Sequence, residues 1–167
     1  TDQGFVDLLT KMREGVDLRE SLSKLNAEST ITNNPPEGSV WLSPRNVEVD
    51  TRNVEKLEEL KSDPMLYRGA LKGRFKSDRL PSPIELVIKR GAQIMFTKND
   101  INKRWINGSI GKVEAMEQDY IVVKMEDKGN LVDVNRVKWV DYQYRWNDYE
   151  NEIDRMEIGS YTQFPLV

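Results

Sequence analysis

Six residues within positions 98–107, namely Lys98, Asn99, Lys103, Arg104, Trp105 and Asn107, carry most of the chemistry this sequence offers. Cations meet phosphate oxygens, amides bond to sugar or base edges, and an indole stacks on a base. Together they make a loop between two strands in which binding groups concentrate. A second pair, Arg45 and Asn46, follows Ser43-Pro44 where a helix is predicted to start, and free amides at a helix start can hold a phosphate oxygen. Each has a plainer reading as well. Arg45 and Asn46 also fit a solvated cation and a helix cap. Asn107-Gly108 is a tight-turn dipeptide, and Trp105 suits a core as well as a strand contact.

Other chemistries are excluded by what the chain lacks. It has no His and no Cys, which removes disulfides, thiol nucleophiles, imidazole bases and His or Cys metal sites. There is no G-x-x-x-x-G-K-[ST] phosphate loop and no G-x-G-x-x-G. Asp148, Glu150, Glu152 and Asp154 alternate in a run that reads as a solvated face. No catalytic residue, metal ligand or cofactor site is assigned, and an autonomous enzyme is not expected.

The elements that must position the loop read as follows. Phe5, Leu8, Leu9 and Met12 have helical spacing, ending near Gly15. Asp17 and Glu20 resemble a capping box before a second short helix carrying Leu18, Leu22 and Leu25. Residues 33–38, NNPPEG, form a loop. Residues 39–42 read as a short strand, leading through Ser43-Pro44-Arg45 into a helix with Asn46 as its cap. Val47, Val54, Leu57 and Leu60 are the expected buried stripe of that helix, which ends at Asp63-Pro64. Residues 65–75 read as one basic edge strand. Strands at 86–88 and 92–96 turn at Lys89-Arg90-Gly91 and open into the loop. After Gly108 the pattern is all-β, with strands at 110–116 and 120–125, a turn at 127–130, and further strands through 131–140. Close strand spacing with Gly turns suggests a small barrel. Tyr142, Tyr144, Trp146 and Tyr149 lie in acidic surroundings that oppose base stacking, so they are expected to pack in the core or as a lid on the barrel.

Charge is unevenly spread. The net charge is −3, yet residues 66–112 hold eleven Lys/Arg against three Asp/Glu, with Lys72, Arg74, Lys76 and Arg79 among them. Residues 1–65 and 113–167 are acidic. A basic middle points to a polyanion-facing surface, or to a salt-bridged solvated one. The composition fits a cytoplasmic protein with no membrane partner. The first residue, Thr1, and the apolar run 164–167 read as the ends of an excised piece.

Three stretches resemble the RecD/Dda/PIF-type branch of superfamily 1 DNA helicases. Residues 42–53, LSPRNVEVDTRN, resemble the family's hydrophobic-x-P-[T]-N-x-x-V-D-x-x-N, with Arg45 where the family often has Thr. Residues 91–100, GAQIMFTKND, resemble G-A-Q-V-M-x-x-x-N-D, and residues 105–113, WINGSIGKV, resemble [VF]-x-N-G-x-x-G-x-V. Residues 161–166 resemble the strand before the family's T-x-H-K-x-Q-G motif. The resemblance implies a 5′-to-3′ motor on single-stranded DNA, acting in repair or recombination. Its implied fold is α+β or α/β. A partial RecA-like α/β unit would span residues 1–104, a small SH3-like antiparallel β-barrel 105–158, and a strand returning to the RecA-like domain 159–167. The implied partners are single-stranded DNA and the rest of the helicase chain. ATP and Mg²⁺ belong to the parent chain, with no cofactor in this piece. The DNA-contacting set would be Arg45, Asn46, Lys98, Asn99, Lys103, Arg104, Trp105 and Asn107. Gly108-x-x-Gly111-x-Val113 also resembles the small barrel of KOW-type proteins. A stand-alone SH3-like module that binds nucleic acid or protein is therefore the alternative, and an acidic interaction domain is a third reading.

Overall fold

The computed structural model describes residues 2–29, 35–36, 38–76 and 80–167. Asn33, Asn34 and Glu37 of the predicted loop, and Arg79 of the basic patch, lie outside the described residues. The chain divides into two compact units, Thr1–Val40 and Trp41–Val167.

The first unit holds α1 (Gln3–Glu14) and α2 (Leu18–Glu28). Asp2 caps α1 by accepting from the Phe5 amide, and Gly15 ends it in the left-handed conformation at φ 75°. That end suits a residue with no Cβ. The capping box expected at Asp17 does not form. Asp17 is itself left-handed at φ 48° and makes no side-chain cap bond, while Glu20 pairs with Lys24 one turn on.

Among the described residues of the second unit, α3 (Asn46–Glu58) precedes nine strands: β1 (Met65–Arg68), β2 (Ala70–Gly73), β3 (Glu85–Ile88), β4 (Gln93–Met95), β5 (Ile110–Met116), β6 (Tyr120–Met125), β7 (Leu131–Asn135), β8 (Val137–Asn147) and β9 (Glu152–Gln163). Of the rings expected in a core or barrel lid, Tyr144, Trp146 and Tyr149 are exposed, and only Tyr142 is partly covered, by the Arg155 guanidinium 4.1 Å from its centroid. Residues 39–42 form no strand. Val40, Trp41 and Leu42 stay exposed with no ladder beside them. Helix α3 starts one residue earlier than expected, with Arg45 at the cap position and Asn46 as the first helical residue. Leu57 and Leu60 pack against the core, whereas Val47 and Val54 are exposed, so only the second half of the predicted stripe is covered.

Every ladder between named strands is antiparallel. They form the sheets β1-β3, β2-β9-β8 and β4-β5-β6-β7. Residues 65–75 are thus two strands in different sheets, broken at Gly69. A Cβ there would lie 2.6 Å from the Tyr161 ring, so the backbone passes the ring only as glycine. The fold is mixed α/β with antiparallel sheets. Among the described residues the β4–β7 sheet is open, in sequence order, and no closed barrel forms. Strand β4 belongs to this sheet although it precedes residue 105.

One face of this sheet builds the core. Val113, Ile121, Val123, Met125, Val132 and Val134 alternate inward and meet Tyr67, Ile88, Phe96, Phe164 and Leu166. The free edge of β4 is covered by the last residues, with Met95 and Val167 exchanging backbone hydrogen bonds at 2.9 and 3.0 Å. Gly111 explains part of the N-G-x-x-G spacing. A Cβ there would lie 2.4 Å from Val123 Cγ1 and 2.9 Å from the Lys124 carbonyl oxygen. Gly111→Ala is expected to cost about 2–3 kcal/mol by overpacking, read as a lower urea midpoint. A midpoint within error of the parent chain would show that β5 and β6 can separate freely.

Candidate nucleic-acid interface

The loop between β4 and β5 is closed at its neck and knotted by one carboxylate. Phe96 N–H donates to Ser109 O at 2.9 Å, Gly108 N–H to Phe96 O at 2.7 Å, and Asp100 N–H to Trp105 O at 3.2 Å. Asn107 N–H donates to Asn99 Oδ1 at 2.7 Å, which occupies the Asn99 side-chain oxygen. Gly108 lies at φ 88°, the turn geometry that Asn-Gly favours.

Asp100 is the centre. Its Oδ2 accepts from the Asn102 and Arg104 amides at 3.0 and 3.2 Å and from Arg104 Nε at 2.9 Å. Its Oδ1 accepts from Arg104 Nη2 at 2.8 Å. The Arg104 guanidinium bonds hold the Asp100 carboxyl down at about 2, outweighing the upward push of desolvation. Sequence reading missed this residue, although its spacing of four from Arg104 was the available signal.

Trp105 is 6% exposed and stacks on Phe96, with centroids 4.4 Å apart and 23° between planes. Its Nε1–H donates to Lys98 O at 3.1 Å. The Arg104 guanidinium lies 4.5 Å from the ring centroid. Of the two roles open to Trp105, the geometry gives the core one. The indole is enclosed between Phe96 and the Arg104 guanidinium, which leaves it holding the loop and not free to stack on a base. Arg104 is similarly engaged, since beyond Asp100 it donates to Asp133 O at 2.9 Å.

Lys103 is different. It sits at the loop's apex, left-handed at φ 57° and exposed, and among the described residues its ammonium has no partner. Asn107 is exposed beside it, as are Ile101 and Ile106. Among the described residues the loop therefore presents one unpaired cation, with exposed amides at Asn102 and Asn107, on a backbone fixed from beneath.

Lys98 faces another way. Its ammonium donates to Lys138 O at 3.0 Å and lies 5.2 Å from the centroid of Trp139. It lines an open cleft of about 530 Å³ with Phe75, Trp139 and Tyr142. These three rings supply flat apolar surface beside a cation, and sequence reading had counted Trp139 only as a sheet residue.

At the start of α3, Ser43 Oγ accepts from the Arg45 amide at 3.1 Å and donates to Glu48 Oε2 at 2.6 Å. Arg45 Nη1 lies 3.2 Å from Glu48 Oε1 on a largely exposed side chain. Such a surface pair is weak and breaks readily for a better anion. Asn46 is exposed in the first turn. Among the described residues no hydrogen bond or ion pair joins this helix start to the 97–109 loop.

Comparison with known proteins gives the class first. The chain matches a segment of the ATP-dependent DNA helicases of superfamily 1, in the branch its motifs indicated. Within that branch it aligns with the Pif1-type enzymes. It is 28% identical to ATP-dependent DNA helicase Pif1 of Bdellovibrio bacteriovorus over 99% of this chain and 36% of that helicase. Unliganded Pif1 from a Bacteroides species matches with a TM-score of 0.84 at 29% identity, over all of this chain and 38% of that one. The Bacteroides Pif1 bound to single-stranded DNA matches over the same shares with a TM-score of 0.68 at 29% identity. The chain thus spans a little over a third of the length of these relatives. No family model matches it. No helix among the described residues is long and apolar enough to cross a membrane.

Proposed function

We propose that this chain is the strand-holding segment of an ATP-driven 5′-to-3′ DNA helicase. The observation that carries the reading is alignment over the whole chain with Pif1, one of whose structures holds single-stranded DNA. In this reading residues 1–104 contribute a partial RecA-like unit. Residues 105–158 form its SH3-like insertion, built on the β5–β7 meander and the β8–β9 hairpin, and 159–167 lead back to the RecA-like sheet. Alignment that runs through residues 1–65 as well as the β-rich part favours this over a stand-alone small-barrel module.

Lys103 and Asn107 meet the phosphate backbone on the fixed loop, Arg45 and Asn46 hold it at the start of α3, and Lys98 contributes beside the Trp139 cleft. Arg104, Trp105 and Asn99 act one step back by fixing the loop. Phosphate contacts of this kind position a strand without selecting its sequence, as a translocating motor requires. ATP with Mg²⁺ is the expected fuel of the whole motor. The sequence here has no phosphate loop, so no nucleotide step is assigned to its residues.

The test is binding of a labelled oligo(dT) to the chain across a salt series. Affinity is expected to be weak and to fall as salt rises, because neutralised phosphates release counterions. Lys103→Glu is expected to weaken binding about three- to tenfold and to flatten the salt slope by about one ion. Changing Lys103 alone is the cleaner probe, since altering Arg104 would also undo the Asp100 knot. Salt-independent binding, or binding indifferent to Lys103→Glu, would overturn the reading.

A further inference from the structure

Asn107-Gly108 carries a chemistry that strand holding does not use. Of the ten glycines in the chain only Gly108 follows an asparagine. Glycine has no side chain to shield its amide nitrogen. Once that nitrogen loses its proton to a base in solvent, it can attack the Asn107 side-chain carbonyl carbon. A carbon–nitrogen bond to Gly108 forms, the bond to the side-chain nitrogen breaks, and that nitrogen leaves as ammonia after taking a proton from water. Water then adds to either carbonyl of the five-membered succinimide and opens it to aspartate or isoaspartate. Asn107 and Gly108 are both exposed, and a Cβ built on Gly108 would meet nothing within 4 Å, so solvent reaches the dipeptide.

The fold nonetheless holds this dipeptide still. Gly108 N–H donates to Phe96 O at 2.7 Å, which keeps the proton on the attacking nitrogen and aims it at the opposite side of the neck. Ser109 N–H donates to Ile106 O at 3.0 Å and closes a turn across the pair. Asn107 N–H donates to Asn99 Oδ1 at 2.7 Å, and Ile106 N–H to Ser109 Oγ at 3.1 Å. Four bonds thus frame one peptide unit. The attack needs the first of them broken, so its rate follows the fraction of time the neck is open.

We propose that Asn107 is a gated deamidation site: the Gly108–Phe96 bond keeps it an amide, and opening of the neck exposes it to irreversible conversion. Either product puts a carboxylate on the loop that carries Lys103. Isoaspartate also lengthens the backbone path by one carbon, so the turn cannot close again on the same bonds. On the strand-holding reading, conversion removes one contact for good and sets a negative charge against phosphate. The chemistry itself does not depend on that reading.

The experiment incubates the full chain in mildly alkaline buffer, folded and in urea, and follows aspartate and isoaspartate at position 107 by peptide mass spectrometry. The folded parent is expected to convert at least about tenfold more slowly than the unfolded chain. Asn99→Ala, which removes the acceptor of the Asn107 amide, is expected to speed conversion in the folded chain at least about threefold. Asn99→Asp keeps an acceptor oxygen and is expected to stay near the parent rate. Hydrogen exchange at Gly108 in the same chains should rise and fall with conversion. Equal rates in the folded and unfolded parent, an intact Asn107 in the unfolded chain, or conversion that does not follow Gly108 exchange overturns the proposal. Asn107→Asp is expected to weaken oligo(dT) binding about threefold. Unchanged binding by that variant would overturn the effect on strand holding, while the conversion rates decide the gate separately.

Discussion

Asp100→Ala is expected to lower stability by about 2–3 kcal/mol at neutral pH and to free the backbone of the 98–107 loop. The variant removes four bonds at once, two of them from backbone amides and two from the Arg104 guanidinium. Charge-assisted bonds to a nearly buried carboxylate are the strong kind. The Arg104 side chain is about one-third exposed, so it partly rehydrates, which keeps the cost below that of a fully buried broken pair. Hydrogen exchange at Asn102 and Arg104 is the direct readout and should quicken by at least about tenfold. Exchange as slow as in the parent chain would mean that the loop is held by other means.

The same carboxylate gives the chain an acid-sensitive contribution whose sign is set by its pKa. The folded value, about 2, lies below the ordinary 3.8, so the stabilisation is complete above about pH 4 and is lost as pH falls toward 2. A displacement of that size corresponds to roughly 2 kcal/mol. The gap in urea midpoint between parent and Asp100→Ala should therefore narrow between pH 4 and pH 2. A constant gap would assign the cost to packing rather than to the carboxylate.

Gln163→Leu is expected to be the most damaging single change, costing about 3–4 kcal/mol. Gln163 is fully buried where sheets meet. Its Nε2 donates to Tyr67 O at 2.9 Å and Pro83 O at 3.1 Å, while its Oε1 accepts from Arg136 Nη1 and the Phe164 amide, each at 3.0 Å. Leucine fills the space but strands the buried Phe164 amide and takes a donor from Tyr67 O, while Pro83 O keeps the Tyr161 hydroxyl and Arg136 keeps Arg68 O; an unpaired buried group costs more than its bond is worth. Adding Arg136→Met should recover part of the loss, because the guanidinium, left with only Arg68 O at 3.0 Å, then disappears. Strict additivity of the two changes in a denaturation cycle would show that Gln163 and Arg136 act independently.

Local signals in the sequence were enough for the meander. The apolar alternation of 110–116 and 120–125 and the glycine turns at 108 and 129 specify β5, β6 and their neighbours, because period-two patterning and positive φ are local properties. Segments that depend on distant partners were not legible. Residues 39–42 have strand composition but find no ladder, and residues 65–75 split between two sheets because β3 and β9, their partners, lie elsewhere in the chain. At the candidate interface the sequence singles out residue types but carries no signal for their orientation. Trp105 and Arg104 turn inward because Phe96 and Asp100 claim them, leaving Lys103 outside, and no single-residue property of the sequence marks that division. The rings of β8 failed for the opposite reason, since hydrophobicity predicts burial only where the fold supplies something to cover them.

Gln163 has a consequence for the order in which the chain can assemble. The carbonyl groups of residues 67 and 83 stay without this donor until a side chain 80 to 96 positions later has been made. At typical synthesis rates that interval is on the order of 5–20 s. During it the nascent β1–β3 hairpin has Tyr67, Leu86 and Ile88 but neither Phe164 nor Leu166 to bury them against. A ribosome-bound holdase has its natural window here, and slowed translation over 90–160 should increase aggregation more than the same delay placed before residue 60.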